Sequence, residues 1–203
     1  MDQFWMIAII IVIGFLAIGL VLWLIYRRQQ PKAKKRQSVG SIANAIGATQ
    51  RFARSNSFKF ISPAIVSTNG RTANLDALVV GYFGVLGVKA FGYNGEIYGS
   101  AAEEEWLQKN GEDERTYFPN PIRQAALDVR VLRDVLFESK LKNVPVEVVA
   151  VFCNKKAQLA LPRQTGHYTY KDFKTLLSKE KYMGDTGLDL EKVEAALRKA
   201  AQQ

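Results

Sequence analysis

An aspartate and a lysine on two adjacent predicted strands are the residues whose types and spacing best suit chemistry. Both strands are β-branched and apolar, and Gly81 and Gly84 bound a tight turn between them. If Gly81 pairs with Gly84, Asp76 lies opposite Lys89 on one face of the sheet. This register predicts either a salt bridge or part of a site in which a metal ion lies beside a lysine.

A third short strand is predicted over residues 96–99, which extends the hairpin into an antiparallel meander. If Phe91 pairs with Glu96 across the second turn, Glu96 lies on the Lys89 face, about 7–8 Å away between Cα atoms. Its carboxylate would then join Asp76 as an oxygen ligand for a hard cation such as Mg²⁺. The alternative is that Glu96 is a rim residue beside a turn.

Further motifs follow the hairpin in a fixed order. They are Gly95-Glu96-Ile97, Trp106, the segment Asn120-Pro121-Ile122-Arg123-Gln124, and Val144-Pro145-Val146 running into an apolar strand. Together with Asp76 and Lys89, this order resembles the nuclease-related domain (NERD) family, which is similar to the PD-(D/E)xK nucleases. The resemblance covers roughly residues 38–200.

The resemblance implies an α/β fold of the restriction-endonuclease-like type, a mixed sheet flanked by helices. It also implies a Mg²⁺-dependent nuclease site with three catalytic residues. Asp76 would hold the metal, Lys89 would neutralise charge on the phosphate and orient water, and Gln124 would reach the active face. The alternative role for Gln124 is a hydrogen bond to a backbone group in the first turn of its helix.

Position 87 departs from the family pattern, because Glu-x-Lys is Gly-Val-Lys at residues 87–89. The acid that the family carries on its first helix is also missing, since no Asp or Glu occurs between Asp2 and Asp76. With Asp76 as the one clear ligand, Mg²⁺ would be held mostly by water and would bind weakly. We therefore expect nucleic-acid binding with lost or weakened cleavage.

Two alternatives stay open at this point. One is an active Mg²⁺-dependent nuclease that uses Asp76, Glu96 and Lys89. The other is a non-catalytic module that binds a protein partner at a membrane surface, with Asp76 and Lys89 as a structural ion pair. The expectation that DNA or RNA binds rests on the family resemblance and not on a site argument.

The chain begins with an apolar run, residues 3–26, that contains no charged side chain. At 1.5 Å per residue it is long enough to cross a hydrocarbon core of about 30 Å. Basic residues follow it, which predicts an external N-terminus and a cytoplasmic domain. A cleaved signal peptide is the alternative, but it requires a basic start and a shorter apolar core. The predicted organisation is a transmembrane anchor (1–26), a basic linker (27–37) and a cytoplasmic domain (38–203).

The net charge of +9 arises entirely in the first third of the chain. Residues 1–72 hold ten Lys and Arg against one acid, whereas residues 73–203 hold 18 against 18. The overall basicity therefore gives no argument that the domain binds DNA. We expect the basic linker to contact anionic lipid of the bilayer, and phosphates of DNA are the alternative.

The single cysteine, Cys153, and the single histidine, His167, limit the chemistry further. One cysteine excludes a disulfide within the chain and a thiolate metal cage, and one histidine gives little support to a zinc cluster. Helices are predicted over residues 41–54, 120–139, 170–181 and 189–200. Strands are predicted over residues 57–67, interrupted by Pro63, over 146–152 as a central strand, and over 158–161. Residues 109–118 are predicted to be a charged loop.

Overall fold

Four helices and eleven strands make up the computed structural model, which describes residues 39–111 and 114–201. In chain order they are α1 (Val39–Ser55), β1 (Lys59–Ile61), β2 (Ala64–Thr68), β3 (Arg71–Leu75), β4 (Ala77–Gly81), β5 (Gly84–Phe91), β6 (Gly95–Tyr98), β7 (Glu105–Asn110), β8 (Glu114–Pro119), α2 (Pro121–Glu138), β9 (Val146–Phe152), β10 (Ala157–Ala160), β11 (His167–Thr169), α3 (Tyr170–Leu177) and α4 (Leu190–Ala200). Short 3₁₀ turns lie at Arg163–Thr165 and Glu180–Tyr182.

A five-stranded mixed sheet forms the centre, in the order β1-β4-β5-β9-β11. Strand β4 is antiparallel to both of its neighbours, β1 and β5, while β5, β9 and β11 run parallel to one another. A second, four-stranded sheet has the order β10-β6-β7-β8, and β2 and β3 form a separate hairpin. The expectation of an α/β fold with mixed sheets flanked by helices is confirmed.

Helices cover both faces of the central sheet because each carries an apolar stripe. Helices α1 and α3 pack on one face, around Phe52, Val88 and Phe173. Helices α2 and α4 pack on the other, around Leu78, Leu132 and other buried residues. The second sheet packs beside the carboxyl ends of β5 and β9, through Trp106, Phe118 and the aromatic residues at those strand ends.

The start of α2 follows directly from its sequence. The Asn120 side chain accepts hydrogen bonds from the backbone N–H groups of Ile122 and Arg123, and Pro121 occupies the first helical position. The amide of Asn120 also donates to the Glu103 carbonyl at 2.7 Å. This one residue therefore fixes both the beginning of the helix and the loop that leads to the second sheet.

The register predicted for the β4–β5 hairpin is confirmed, with Gly81 paired to Gly84 and Ala77 paired to Val88. Gly84 has a φ of 125°, and a Cβ there would lie 2.3 Å from the Pro145 carbonyl oxygen, so only glycine fits. The prediction that residues 146–152 form a central strand is also confirmed, because β9 lies between β5 and β11.

Two sequence predictions are wrong. Strand β6 exists but pairs with β7 and β10 instead of β5, because β4 and β9 already occupy both edges of β5. The antiparallel meander therefore ends after two strands. Residues 109–118 are not a loop but belong largely to the β7–β8 hairpin, in which Gln108 and Phe118 face the core between exposed polar positions.

No helix within residues 39–111 and 114–201 is long and apolar enough to cross a membrane. The predicted span at residues 3–26 and the basic linker after it lie outside the described residues.

Candidate functional site

Lys89 extends from β5 toward α2 and forms an ion pair with Asp128. Its Nζ lies 2.5 Å from Asp128 Oδ2, and the two side chains are 17% and 7% exposed. Burial raises the pKa of the Asp128 carboxyl, and the hydrogen bond from Lys89 is the largest effect that opposes this rise. A charged pair is thus built into the layer between the central sheet and α2.

Asp128 is not among the candidate residues predicted from the sequence, although its position in α2 indicates that it faces the core. Asp128 lies three residues after the buried Ala125 and four before the buried Leu132, which places it on the core-facing stripe. An acid at an inward helical position requires a charged or hydrogen-bonding partner, and Lys89 supplies one.

Asp76 lies in the bend between β3 and β4, held by hydrogen bonds from three sides. Its N–H donates to the Val88 carbonyl at 3.0 Å, its carbonyl accepts from the Ser62 hydroxyl at 2.6 Å, and its Oδ2 accepts from the Ala90 N–H at 2.6 Å. Burial raises the pKa of the Asp76 carboxyl, and the Ala90 N–H and the charge of Lys89 oppose this rise. Asp76 and Lys89 are neighbours, as the register predicts, but the ion pair of Lys89 within the described residues is with Asp128.

Gly87 stands where the family pattern has a glutamate. It lies two residues before Lys89 and therefore on the same face of β5. A Cβ on Gly87 would lie 2.9 Å from Leu75 Cδ1 and 2.9 Å from Val148 Cγ2. Leu75 is fully buried, so the space that a longer side chain would need is filled by packed hydrocarbon. The surrounding side chains therefore leave no room for a glutamate at position 87 unless they move.

Glu96 and Gln124 differ in how close the structure brings them to Lys89. Glu96 lies on β6 in the second sheet, opposite Lys109, and accepts a hydrogen bond from the Tyr98 hydroxyl at 2.7 Å. The pairing with β5 that would place it diagonally from Lys89 does not form. Gln124 is half-buried in the first turn of α2, four residues before Asp128, so the two share one helix face.

These residues do not fit the metal centre that the family resemblance implies. The described part of the chain contains no group of three or more His, Cys, Asp or Glu side chains placed to hold a metal ion. Of the two carboxylates beside Lys89, Asp128 is engaged by the lysine and Asp76 accepts a backbone hydrogen bond. A metal ion at this site would therefore find one carboxylate, that of Asp76, outside an ion pair. It would lie beside Lys89, which is already paired with Asp128.

The protein is therefore an α/β protein with mixed sheets flanked by helices, in which Asp76, directly before β4, lies beside Lys89 on β5. The chain belongs to the nuclease-related domain (NERD) family, whose model matches residues 44–153. The matched segment runs from α1 to the end of β9 and includes Asp76, Lys89, Gln124 and Asp128. No curated protein and no solved structure matches the chain.

Proposed function

We propose that this protein is a membrane-anchored member of the NERD family whose domain binds nucleic acid and has lost or weakened cleavage. The observation that carries the proposal is the packing around Gly87. Leu75 and Val148 fill the place of the family glutamate, and Asp128, which lies beside Lys89 together with Asp76, is bound to that lysine. A hard cation such as Mg²⁺ prefers several oxygen ligands, so one free carboxylate gives weak binding.

We further propose that the fold is of the restriction-endonuclease-like type. It is supported by the mixed sheet with helices on both faces and by the Asp76–Lys89 register on the β4–β5 hairpin. The active-nuclease alternative needs Glu96 at the site, and its place in the second sheet argues against that alternative.

The membrane part of the proposal rests on the sequence alone. Residues 3–26 would span the bilayer once, with the N-terminus outside and the domain in the cytoplasm. The basic residues of the linker would contact anionic lipid headgroups. After cell lysis and a high-salt wash, we expect the full-length protein to remain in the membrane fraction. Release by salt alone would contradict the anchor.

Purified full-length protein in detergent micelles tests the function. It would be incubated with single- and double-stranded DNA and RNA, with Mg²⁺ or Mn²⁺, beside Lys89→Ala and the exposed control Lys199→Ala. We expect binding that weakens steeply between about 50 and 200 mM salt, with little or no cleavage. Efficient cleavage that Lys89→Ala abolishes and Lys199→Ala leaves unchanged would overturn the proposal in favour of an active nuclease.

A second candidate function, a non-catalytic protein-interaction module, is favoured by one observation. The Lys89–Asp128 pair resembles a structural ion pair between sheet and helix, because both side chains are largely buried. If neither DNA nor RNA binds at about 50 mM salt, where phosphate contacts are strong, the nucleic-acid proposal fails and this second function is supported.

A further inference from the structure

A cleft opens at the carboxyl ends of β9 and β11, where open α/β sheets commonly bind ligands. Its volume is about 260 Å³. It is lined by Phe152, Cys153, Asn154, Lys155, Ala157, Leu159, Thr169, Tyr170 and Lys171. Most of this lining lies beyond the segment that the family model matches, which ends at residue 153.

The cleft adjoins the Asp76–Lys89 site through the end of β5. The Cys153 N–H donates to the Phe91 carbonyl at 2.8 Å, and the preceding residue, Ala90, donates its N–H to Asp76. The negative charge of Asp76 is also one of the causes, after burial, that raise the pKa of Cys153 to about 12. The last two residues of β5 therefore connect Asp76 to the edge of the cleft.

The interior of the cleft suits a flat, uncharged ring. Phe152 lines the cleft but is 2% exposed, with its ring stacked against Phe91 and Trp106. The accessible apolar lining is therefore formed by Ala157, Leu159 and Tyr170. Tyr170 is half-buried at the mouth. The volume is below the range of about 300–1,000 Å³ that is typical of drug-sized ligands, so it accommodates a single ring system.

The rim of the cleft is cationic. Lys155 and Lys171 line it and are exposed, and the exposed Lys156 and Lys174 are their neighbours in the chain. The Lys174 Nζ lies 5.4 Å from the centre of the Tyr170 ring. The acid nearest in sequence, Asp172, accepts a hydrogen bond from the Thr169 hydroxyl at 2.6 Å. A partly apolar pocket lined by two exposed lysines is complementary to a flat ring that carries phosphate.

We propose that this cleft binds one nucleotide of a single-stranded nucleic acid, with the base inside and the flanking phosphates on Lys155 and Lys171. This rests on the proposed function, because it names where the bound nucleic acid inserts a base. A base in the cleft must be unstacked from its neighbours, so single strands bind in preference to duplexes. The apolar Ala157 and Leu159 read no base edge, and the half-buried Tyr170 ring can stack on any base.

The test compares two ligands on the same full-length protein in detergent micelles. One is a short single-stranded oligothymidine, and the other is the same sugar-phosphate chain with abasic sites. We expect the protein to bind the base-containing strand roughly tenfold more tightly, within the range that stacking of one base supplies. The variant Ala157→Trp fills the cleft without a change of charge, so it should bind both strands equally and with the affinity that wild type has for the abasic chain.

A second comparison does not depend on that core-facing substitution. The double variant Lys155→Glu/Lys171→Glu changes two exposed rim residues, and Lys140→Glu/Lys199→Glu makes the same charge change at two exposed lysines outside the cleft. We expect the rim variant to weaken binding of both strands at least tenfold more than the control does. It should also lower the salt dependence by about 0.7 for each phosphate contact removed.

The outcomes separate the cleft from the function beneath it. If wild type binds both strands equally, or if the two double variants weaken binding to the same degree, the cleft proposal is wrong while nucleic-acid binding stands. If wild type binds neither strand at about 50 mM salt, the proposed function itself fails. Loss of the tenfold preference in Ala157→Trp, together with a selective effect of the rim variant, supports the cleft.

Discussion

The two faces of strand β5 differ sharply in composition. Leu86, Val88 and Ala90 point toward α1 and α3 and belong to a core made of apolar and aromatic side chains. On the face toward α2, Gly87 has no side chain and Lys89 carries a charge that needs Asp128 as its partner. One strand thus has a face that packing alone explains and a face that packing alone does not explain.

The composition of the face toward α2 is not the one that stability alone would favour. A buried ion pair seldom stabilises more than well-packed hydrophobic residues of the same volume, because taking both charges out of water is costly. The presence of Lys89 and Asp128 in this layer is therefore not explained by stability alone. The apolar face shows that the same strand supports ordinary packing where no such demand exists.

Breaking the ion pair on one side should have the largest effect on stability. Asp128→Ala leaves Lys89 largely buried without its partner, and we expect the free energy of unfolding to fall by about 3 kcal/mol. The double variant Lys89→Met/Asp128→Leu should recover most of this loss, because it restores packing without charge. Urea denaturation of the three proteins measures the effect.

The matched control for this prediction lies on the same helix. Asp134 pairs with Arg71 at 2.7 Å, but both side chains are well exposed, so Asp134→Ala should cost under about 1 kcal/mol. Equal losses for Asp128→Ala and Asp134→Ala would show that the Lys89 pair behaves as a surface pair, and the contrast between the two faces of β5 would fail.

The features that the sequence predicts well are local ones. Asn120 and Pro121 specify the start of α2, and Gly81 and Gly84 specify the hairpin register that brings Asp76 beside Lys89. Each depends on a few consecutive residues whose backbone preferences are known. The same reasoning finds the bend at Pro63, which separates β1 from β2.

The features that the sequence did not reveal depend on tertiary pairing. Glu96 follows a turn-like segment, but whether β6 joins β5 depends on β9. This strand begins at Val146, far along the chain, and takes the second edge of β5. The partner of Lys89 is likewise on a distant helix, so Asp128 has no signal in the hairpin itself. The polar β7–β8 hairpin resembles a loop because β7 buries only Trp106 and Gln108 and β8 buries only Phe118.

Restoring the family glutamate should have the next largest effect. In Gly87→Glu the new side chain meets Leu75 and Val148 and carries a charge into an apolar layer, so we expect a loss of about 2 kcal/mol or more. Gly87→Ala should cost less, because only side-chain tips must move. Thermal or urea unfolding of both variants gives the comparison.

The same variant tests whether position 87 alone controls cleavage. We expect Gly87→Glu to leave nuclease activity absent, and the pair Gly87→Glu/Leu75→Ala, which makes room for the new carboxylate, to bind Mn²⁺ more tightly than wild type. A stable Gly87→Glu with wild-type resistance to urea would contradict the view that packed hydrocarbon closes the position.

The smallest expected effect is the pH dependence of stability that His167 on β11 contributes. Lys89 pairs with Ala150, and Ala150 pairs with His167 on β11, so all three lie on one face of the sheet. The His167 ring contacts Phe152 edge-on with ring centres 6.3 Å apart, and its Nδ1 is buried with no hydrogen-bond partner in the described part of the chain. Burial lowers the pKa of His167, and the charge of Asp172 opposes this shift.

A histidine whose pKa is lower in the folded than in the unfolded state binds its proton more readily when the chain unfolds. Its contribution to stability is therefore present above the ordinary value of 6.5 and is lost as the pH falls through the lower folded value. Asp76 and Asp128, whose pKa values are raised, act in the opposite sense, since their contribution is lost as the pH rises through their folded values. Comparing wild type with His167→Phe cancels these carboxylate contributions. Below about pH 6.5 we expect wild type to lose stability relative to the variant by at most about 1.4 kcal/mol per pH unit. Parallel pH profiles in urea denaturation would contradict a lowered pKa of His167 in the folded protein.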